Sequence, residues 1–212
     1  RRPRKTAKPM PARPRPIAER SACAMAHDHS APSAFVESWV ARLAGPADPS
    51  APPQAHPEPR RTALDLAMGR GRHALVLARH GFEVFGVDLK PGAVRDAMVA
   101  ARAEGLAIRG WSADLTVSSL PVAAFDLVVV ARYLQRDLFD GIKAAVRPGG
   151  SVIYETFTVA QRTLGTGPTS PEHLLRPDEL SSYFADWERV FYEEVDTPEA
   201  VARLVGRRPF NS

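Results

Sequence analysis

The chain has 212 residues, 44% of them hydrophobic and 25% charged, an ordinary composition for a globular protein. Its net charge of +4 is uneven: residues 1–24 hold eight Lys/Arg against one Glu, which leaves −3 on residues 25–212. No apolar run approaches the roughly twenty residues that span a bilayer, and a single cysteine, Cys23, excludes an internal disulfide framework and a cysteine-built zinc site.

Residues 1–33 read as a disordered basic tail, because charge and proline dominate and little apolar surface is available to offset the entropy of ordering. No aromatic residue is interleaved with the charges of residues 1–24 to stack a base, so the reading is against a nucleic-acid partner. A reducing, cytoplasmic setting is expected. Residues 34–45 carry Phe35, Val36, Trp39, Val40 and Leu43 at helical spacing, which predicts an amphipathic helix packed over a ligand site or a sheet edge. Residues 46–61 are proline-rich and read as a linker.

Residues 62–212 form the foldable part, about 150 residues, enough for one domain with a sizeable core. Apolar strands alternate with helical patterns there, the signature of an α/β fold. Strands are predicted at 63–67, 83–88, 106–111, 125–131, 151–157, 189–195 and 201–207. Between them come a helix over 70–80 stopped by Gly81, a helix opened by Pro91 and closed by Gly105, and a helical face on Leu134, Leu138, Ile142 and Ala145. Phe125 to Ala131 is apolar on both faces apart from Asp126, which suits a central parallel strand. Pro148-Gly149-Gly150 predicts a turn, and Pro177 predicts another helix start.

Open α/β sheets bind ligands at the carboxyl ends of their strands, and four features fall there. Asp65 stands near the end of the first strand, followed by Ala67-Met68-Gly69-Arg70-Gly71, where two glycines let backbone approach a ligand. Asp88 ends the second strand, placed to accept both hydroxyls of a ribose. Asp114 follows the third and suits an exocyclic amine, while Leu89 and Leu115 offer apolar faces to a purine. These residues outline an adenosine site.

Two adenosine cofactors fit such a site. Gly69-Arg-Gly71-Arg-His-Ala74 satisfies the dinucleotide fingerprint, and Asp88 stands where a ribose-binding acid belongs, so a nicotinamide-dependent oxidoreductase stays open. Against it, a pyrophosphate has no use for the additional carboxylate of Asp65. S-adenosylmethionine carries an ammonium and a sulfonium, and acids at 65, 88 and 114 suit its amine, ribose and adenine.

The stretch ALDLAMGRGRHALVLARHGFEVFGVD from Ala63 to Asp88, with Ala113-Asp114-Leu115, the fourth strand and the turn at Pro148-Gly149-Gly150, resembles the class I S-adenosylmethionine-dependent methyltransferases. YETFT at Tyr154 to Thr158 and GPTSPEHLLRPDEL at Gly167 to Leu180 are similar to a small bacterial subgroup grouped with tellurite-resistance-type enzymes. The resemblance implies a doubly wound, mostly parallel seven-stranded sheet with an antiparallel edge strand. It also implies methyl transfer from S-adenosyl-L-methionine to a small-molecule acceptor, with Asp65, Ala67, Gly69, Gly71, Asp88, Leu89, Asp114, Leu115 and Arg132 on the cofactor. A non-catalytic cofactor-binding module is the remaining alternative.

The loop departs from the family pattern at Ala67, which replaces a glycine and is tolerable if its φ stays negative, and at Met68, expected to pack above the cofactor. No asparagine-proline-proline-aromatic motif follows the fourth strand. Arg132 and Tyr133 stand there and are expected to line the acceptor pocket with Glu155 or Thr156 from the fifth strand; Arg136 is a weaker candidate. Arg132 suits an anionic acceptor. His73 falls either at the cofactor or on a helix surface, and residues 161–176 read as a lid carrying Glu172 and His173.

Overall fold

The computed structural model describes residues 31–45 and 60–210; most of the expected tail, most of the linker and the last two residues lie outside them. Seven strands form one sheet: β1 (Thr62–Leu66), β2 (Glu83–Asp88), β3 (Ile108–Ser112), β4 (Phe125–Ala131), β5 (Val146–Phe157), β6 (Glu188–Val195) and β7 (Val201–Arg207). Helices α1 (Ala34–Ala44), α2 (Arg72–Arg79), α3 (Pro91–Ala103), α4 (Phe139–Ala145) and α5 (Glu179–Tyr183) accompany them. The strand order is β3-β2-β1-β4-β5-β7-β6. β1 to β5 are parallel; β7 runs antiparallel between β5 and the edge strand β6. This is the doubly wound α/β sheet the sequence predicts.

β4 lies mid-sheet and buries both faces, Val128 and Val130 with the α4–α5 layer and Leu127 and Val129 with the α1–α2 layer. Its near-continuous apolar run is the consequence of that double cover. α2 and α3 end alike: Gly81 and Gly105 turn left-handed, Phe82 donates its N–H to Leu77 and Leu106 to Ala101. Both are the six-to-one closure that glycine after a helix permits, and it aims each chain straight into the next strand.

Beyond shifts of one or two residues, three elements differ from expectation. The fourth helical face is broken into a tight turn at Arg136–Leu138 followed by α4. β5 starts five residues early, and Pro148-Gly149-Gly150 forms a register shift against β4, with Val146 opposite Phe125 but Ser151 opposite Leu127. The extra residues bulge in place of a turn. Pro177 precedes α5, whose cap Asp178 is left-handed.

α1 lies beside α2 and reaches toward the sheet edge, where Phe35 and Trp39 meet Phe191 of β6 at 5.7 and 5.5 Å. No residue of α1 lines the cavity at the carboxyl ends of the parallel strands. Among the described residues, no helix is long and apolar enough to cross a membrane.

Candidate active site

A cavity of about 740 Å³ opens at the carboxyl ends of β1 to β4. Its wall includes Ala67, Gly69, Asp88, Leu89, Asp114, Leu115, Arg132 and Tyr133, so eight of the expected residues converge. Asp65, Gly71 and Glu155 do not reach it.

Asp88 sits at the tip of β2, with one carboxylate oxygen accepting the N–H of Gly69 at 2.8 Å and the other that of Lys90 at 2.9 Å. A carboxylate has about four acceptor sites, so capacity remains for two ribose hydroxyls. Asp114 accepts both the N–H and the hydroxyl of Thr116 on Oδ1, which holds its carboxyl below the usual range. Leu89 is 63% exposed although large and apolar, and Leu115 faces the same cavity from the buried side. An apolar wall with two acids at its rim can take a purine nucleoside.

The glycine loop divides into two roles. A Cβ on Gly69 would meet nothing within 4 Å, so its free space belongs to the cavity. A Cβ on Gly71 would stand 2.6 Å from that of Ala97, so Gly71 exists to pack α2 against α3. Ala67 has φ of +54°, so the condition expected for alanine fails and the residue carries the strain that glycine would avoid. Met68 does not pack above the cavity; it drops beneath α3 against Val94 and Ala97, into the slot left by the paired Gly86 and Gly110.

Asp65 is the clearest correction. It is 1% exposed, and its carboxylate accepts the N–H of Ala74 in the first turn of α2 at 2.8 Å. Burial pushes its carboxyl up to about 7, against the lowering effects of that bond and of Arg72. It holds the start of α2 and does not line the cavity.

Glu155 is likewise buried, its Oε2 held by Nε of Arg203 at 2.7 Å and its Oε1 3.7 Å from Nε of Arg132. Neither it nor the buried Thr156 lines the cavity. Arg132, at φ +59°, does line it, but its guanidinium is held in a fork by Glu199 on the β6–β7 connection and lies over Phe157. Its charge is therefore already matched. Tyr133 donates its hydroxyl to Gln135, whose amide donates to the carbonyl of Leu115. Burial and the charges of Asp114, Asp137 and Asp88 raise the phenol above its ordinary value, so it stays protonated.

Arg136 is turned away, donating to Glu179 and to the carbonyls of Glu172 and Leu174. It pins the segment read as a lid, whose base is fixed further by the Thr158–Leu175 bridge and by Gln161 accepting the N–H of Ala200. Glu172 and His173 stay exposed on that segment. His73 is neither at the cavity nor on the surface: it is buried, its Nε2 accepting the N–H of Ser33 at 3.0 Å. Burial, with the charges of Arg72 and Arg132, drives it down to about 3.

Sequence reasoning missed the rest of the wall, Arg70, Lys90, Gly92, Ala93, Asp96, Ala113 and Thr116. Pro91 was the available signal, because a helix opened directly after Asp88 must present its first turns to the same space.

Residues 63–150 match the family described as a methyltransferase domain. Over 139 residues the chain is 33% identical to Hemagglutinin 1 of Eikenella corrodens, covering 62% of this chain and 45% of that protein. Over 158 residues it is 31% identical to the ubiquinone biosynthesis O-methyltransferase of Methylobacterium sp. (strain 4-46), covering 70% and 60%. The chain thus spans about half the length of the curated relatives it matches. The solved structure of TehB from Haemophilus influenzae superposes with a TM-score of 0.58 at 20% identity, over 70% of this chain and 58% of that one. Structures described as S-adenosylmethionine-dependent methyltransferases share the fold with the same TM-score of 0.58. Residues 63–150 thus match the methyltransferase-domain family, and the chain shares its fold with structures described as S-adenosylmethionine-dependent methyltransferases.

Proposed function

We propose that the chain transfers a methyl group from S-adenosylmethionine to a small-molecule acceptor that enters beside Arg132 and Tyr133. The observation that carries this reading is the cavity in which Asp88 and Asp114 flank the apolar faces of Leu89 and Leu115. Asp88 would accept the ribose hydroxyls, Asp114 the exocyclic amine, and the leucines would enclose the adenine. Gly69 and Ala67 give the backbone its approach. Against a dinucleotide, the Gly69 amide that would meet a phosphate is already given to the Asp88 carboxylate.

When bound, S-adenosylmethionine supplies a methyl carbon activated by positive sulfur. What remains for the protein is alignment and exclusion of water, which contribute roughly 7 to 11 kcal/mol in favourable cases. Tyr133, whose hydroxyl proton is given to Gln135, is fixed in the wall, can offer a substrate only its oxygen lone pairs, and takes no proton. Asp65 and Glu155 act from behind, as positioning residues for the loop and for Arg132.

The test is incubation with methyl-labelled S-adenosylmethionine and separate pools of small metabolites, tRNA and protein. Label is expected in the small-metabolite pool; label confined to macromolecules would refute this acceptor class.

A further inference from the structure

Arg132 sits in the cavity wall between two carboxylates of unlike character. Glu155 is 1% exposed and fixed by Arg203, whereas Glu199 is 28% exposed and stands on the connection between β6 and β7. Glu199 grips both terminal nitrogens of the guanidinium, the fork-to-fork pairing that any planar carboxylate can make. On the other side, Nε of Arg132 and Oε1 of Glu155 are both buried without a hydrogen-bond partner, 3.7 Å apart.

Two buried, complementary and unsatisfied atoms define a second position for the guanidinium. A shift of about 1 Å toward Glu155 closes an N–H···O bond between them, and both atoms then gain the partner that burial denies them. That movement loosens the grip of Glu199, which can be rehydrated on its partly exposed turn. Glu155 has no such freedom.

We propose that Arg132 receives a carboxylate of the methyl acceptor, and that Glu199 occupies the guanidinium fork until the acceptor displaces it. On the guanidinium the exchange replaces one carboxylate by another, so its charge pairing and its forked hydrogen bonds are kept while the Arg132–Glu155 bond is gained. The inference rests on the methyl-transfer reading and adds the acceptor's class, a carboxylic acid. A carboxylate also ends the amino-acid arm of S-adenosylmethionine, and the experiment separates the two sources.

The test titrates benzoate, with benzamide as its uncharged match, into the full chain saturated with S-adenosylhomocysteine. Glu199→Gln should bind benzoate about tenfold more tightly than wild type, the value of one charge-assisted bond, while benzamide is unchanged. Arg132→Gln should abolish benzoate binding. Equal benzoate affinity in wild type and Glu199→Gln overturns the proposal without touching the methyl-transfer reading. So does a Glu199→Gln variant that tightens S-adenosylhomocysteine but neither 5′-methylthioadenosine nor benzoate, since the fork would then serve the donor. Failure of every variant and of wild type to bind S-adenosylhomocysteine would instead remove the methyl-transfer reading itself.

Discussion

The carboxylate of Asp88 and the backbone amide of Gly69, nineteen residues apart in the chain, meet at 2.8 Å. The bond ties the glycine loop to the tip of β2 and sets the floor of the cavity. Gly69 and Gly71, alike in sequence, consequently answer to different neighbours.

Gly69→Ala adds a methyl group to open cavity space at φ +55°, at a cost of about 1–2 kcal/mol in stability, with S-adenosylhomocysteine affinity reduced about tenfold or more. Gly71→Ala drives a Cβ to 2.6 Å from Ala97 at φ +80° and should cost roughly 2–5 kcal/mol. Urea unfolding with calorimetry on both variants checks the division. Equal losses of stability would contradict it.

Ala67 is the inverse case, a side chain where the backbone wants none. Ala67→Gly relieves the left-handed strain and adds some unfolded-state entropy, for a net gain of up to about 1 kcal/mol. A higher urea midpoint at unchanged slope is the expected readout; a lower midpoint would show that Ala67 is not strained.

Two buried groups give opposite pH dependences. His73 lies at about 3 when folded against an ordinary 6.5, so its contribution is full above pH 6.5 and is lost as pH falls toward 3. Asp65 lies at about 7 against 3.8, so its contribution is full below pH 3.8 and is lost as pH rises through 7. Between these limits each acts with a slope near 1.4 kcal/mol per pH unit, and the two oppose. His73→Gln keeps an acceptor for the N–H of Ser33 and removes the titration. Relative to wild type it should gain about 1 kcal/mol per unit as pH falls from about 6 to about 4.5, measured by urea unfolding. Parallel profiles would contradict the assignment.

Much of the fold was legible because its signals are local. The apolar run of β4, the glycines that end α2 and α3, and Pro91 at the start of α3 each act within a few residues. The acids at 88 and 114 were legible because a strand end fixes their location. Asp65 was misread because its partner, Ala74, is chosen by how α2 docks, nine residues away and on the buried side. Glu155 was misread, and the partner of Arg132 was not foreseen, for a longer-range reason: Arg203 and Glu199 come from β7 and the connection before it, brought in only by antiparallel pairing with β5. Glu199 itself carries no periodic or motif signal.

Calorimetric titration of S-adenosylhomocysteine and of NAD into wild type and Asp88→Ala tests the central claim. One equivalent of S-adenosylhomocysteine should bind wild type, with affinity falling about a hundredfold or more in the variant through loss of two charge-assisted bonds, and NAD should not bind. Binding of NAD in preference, or S-adenosylhomocysteine affinity indifferent to Asp88, would contradict the account.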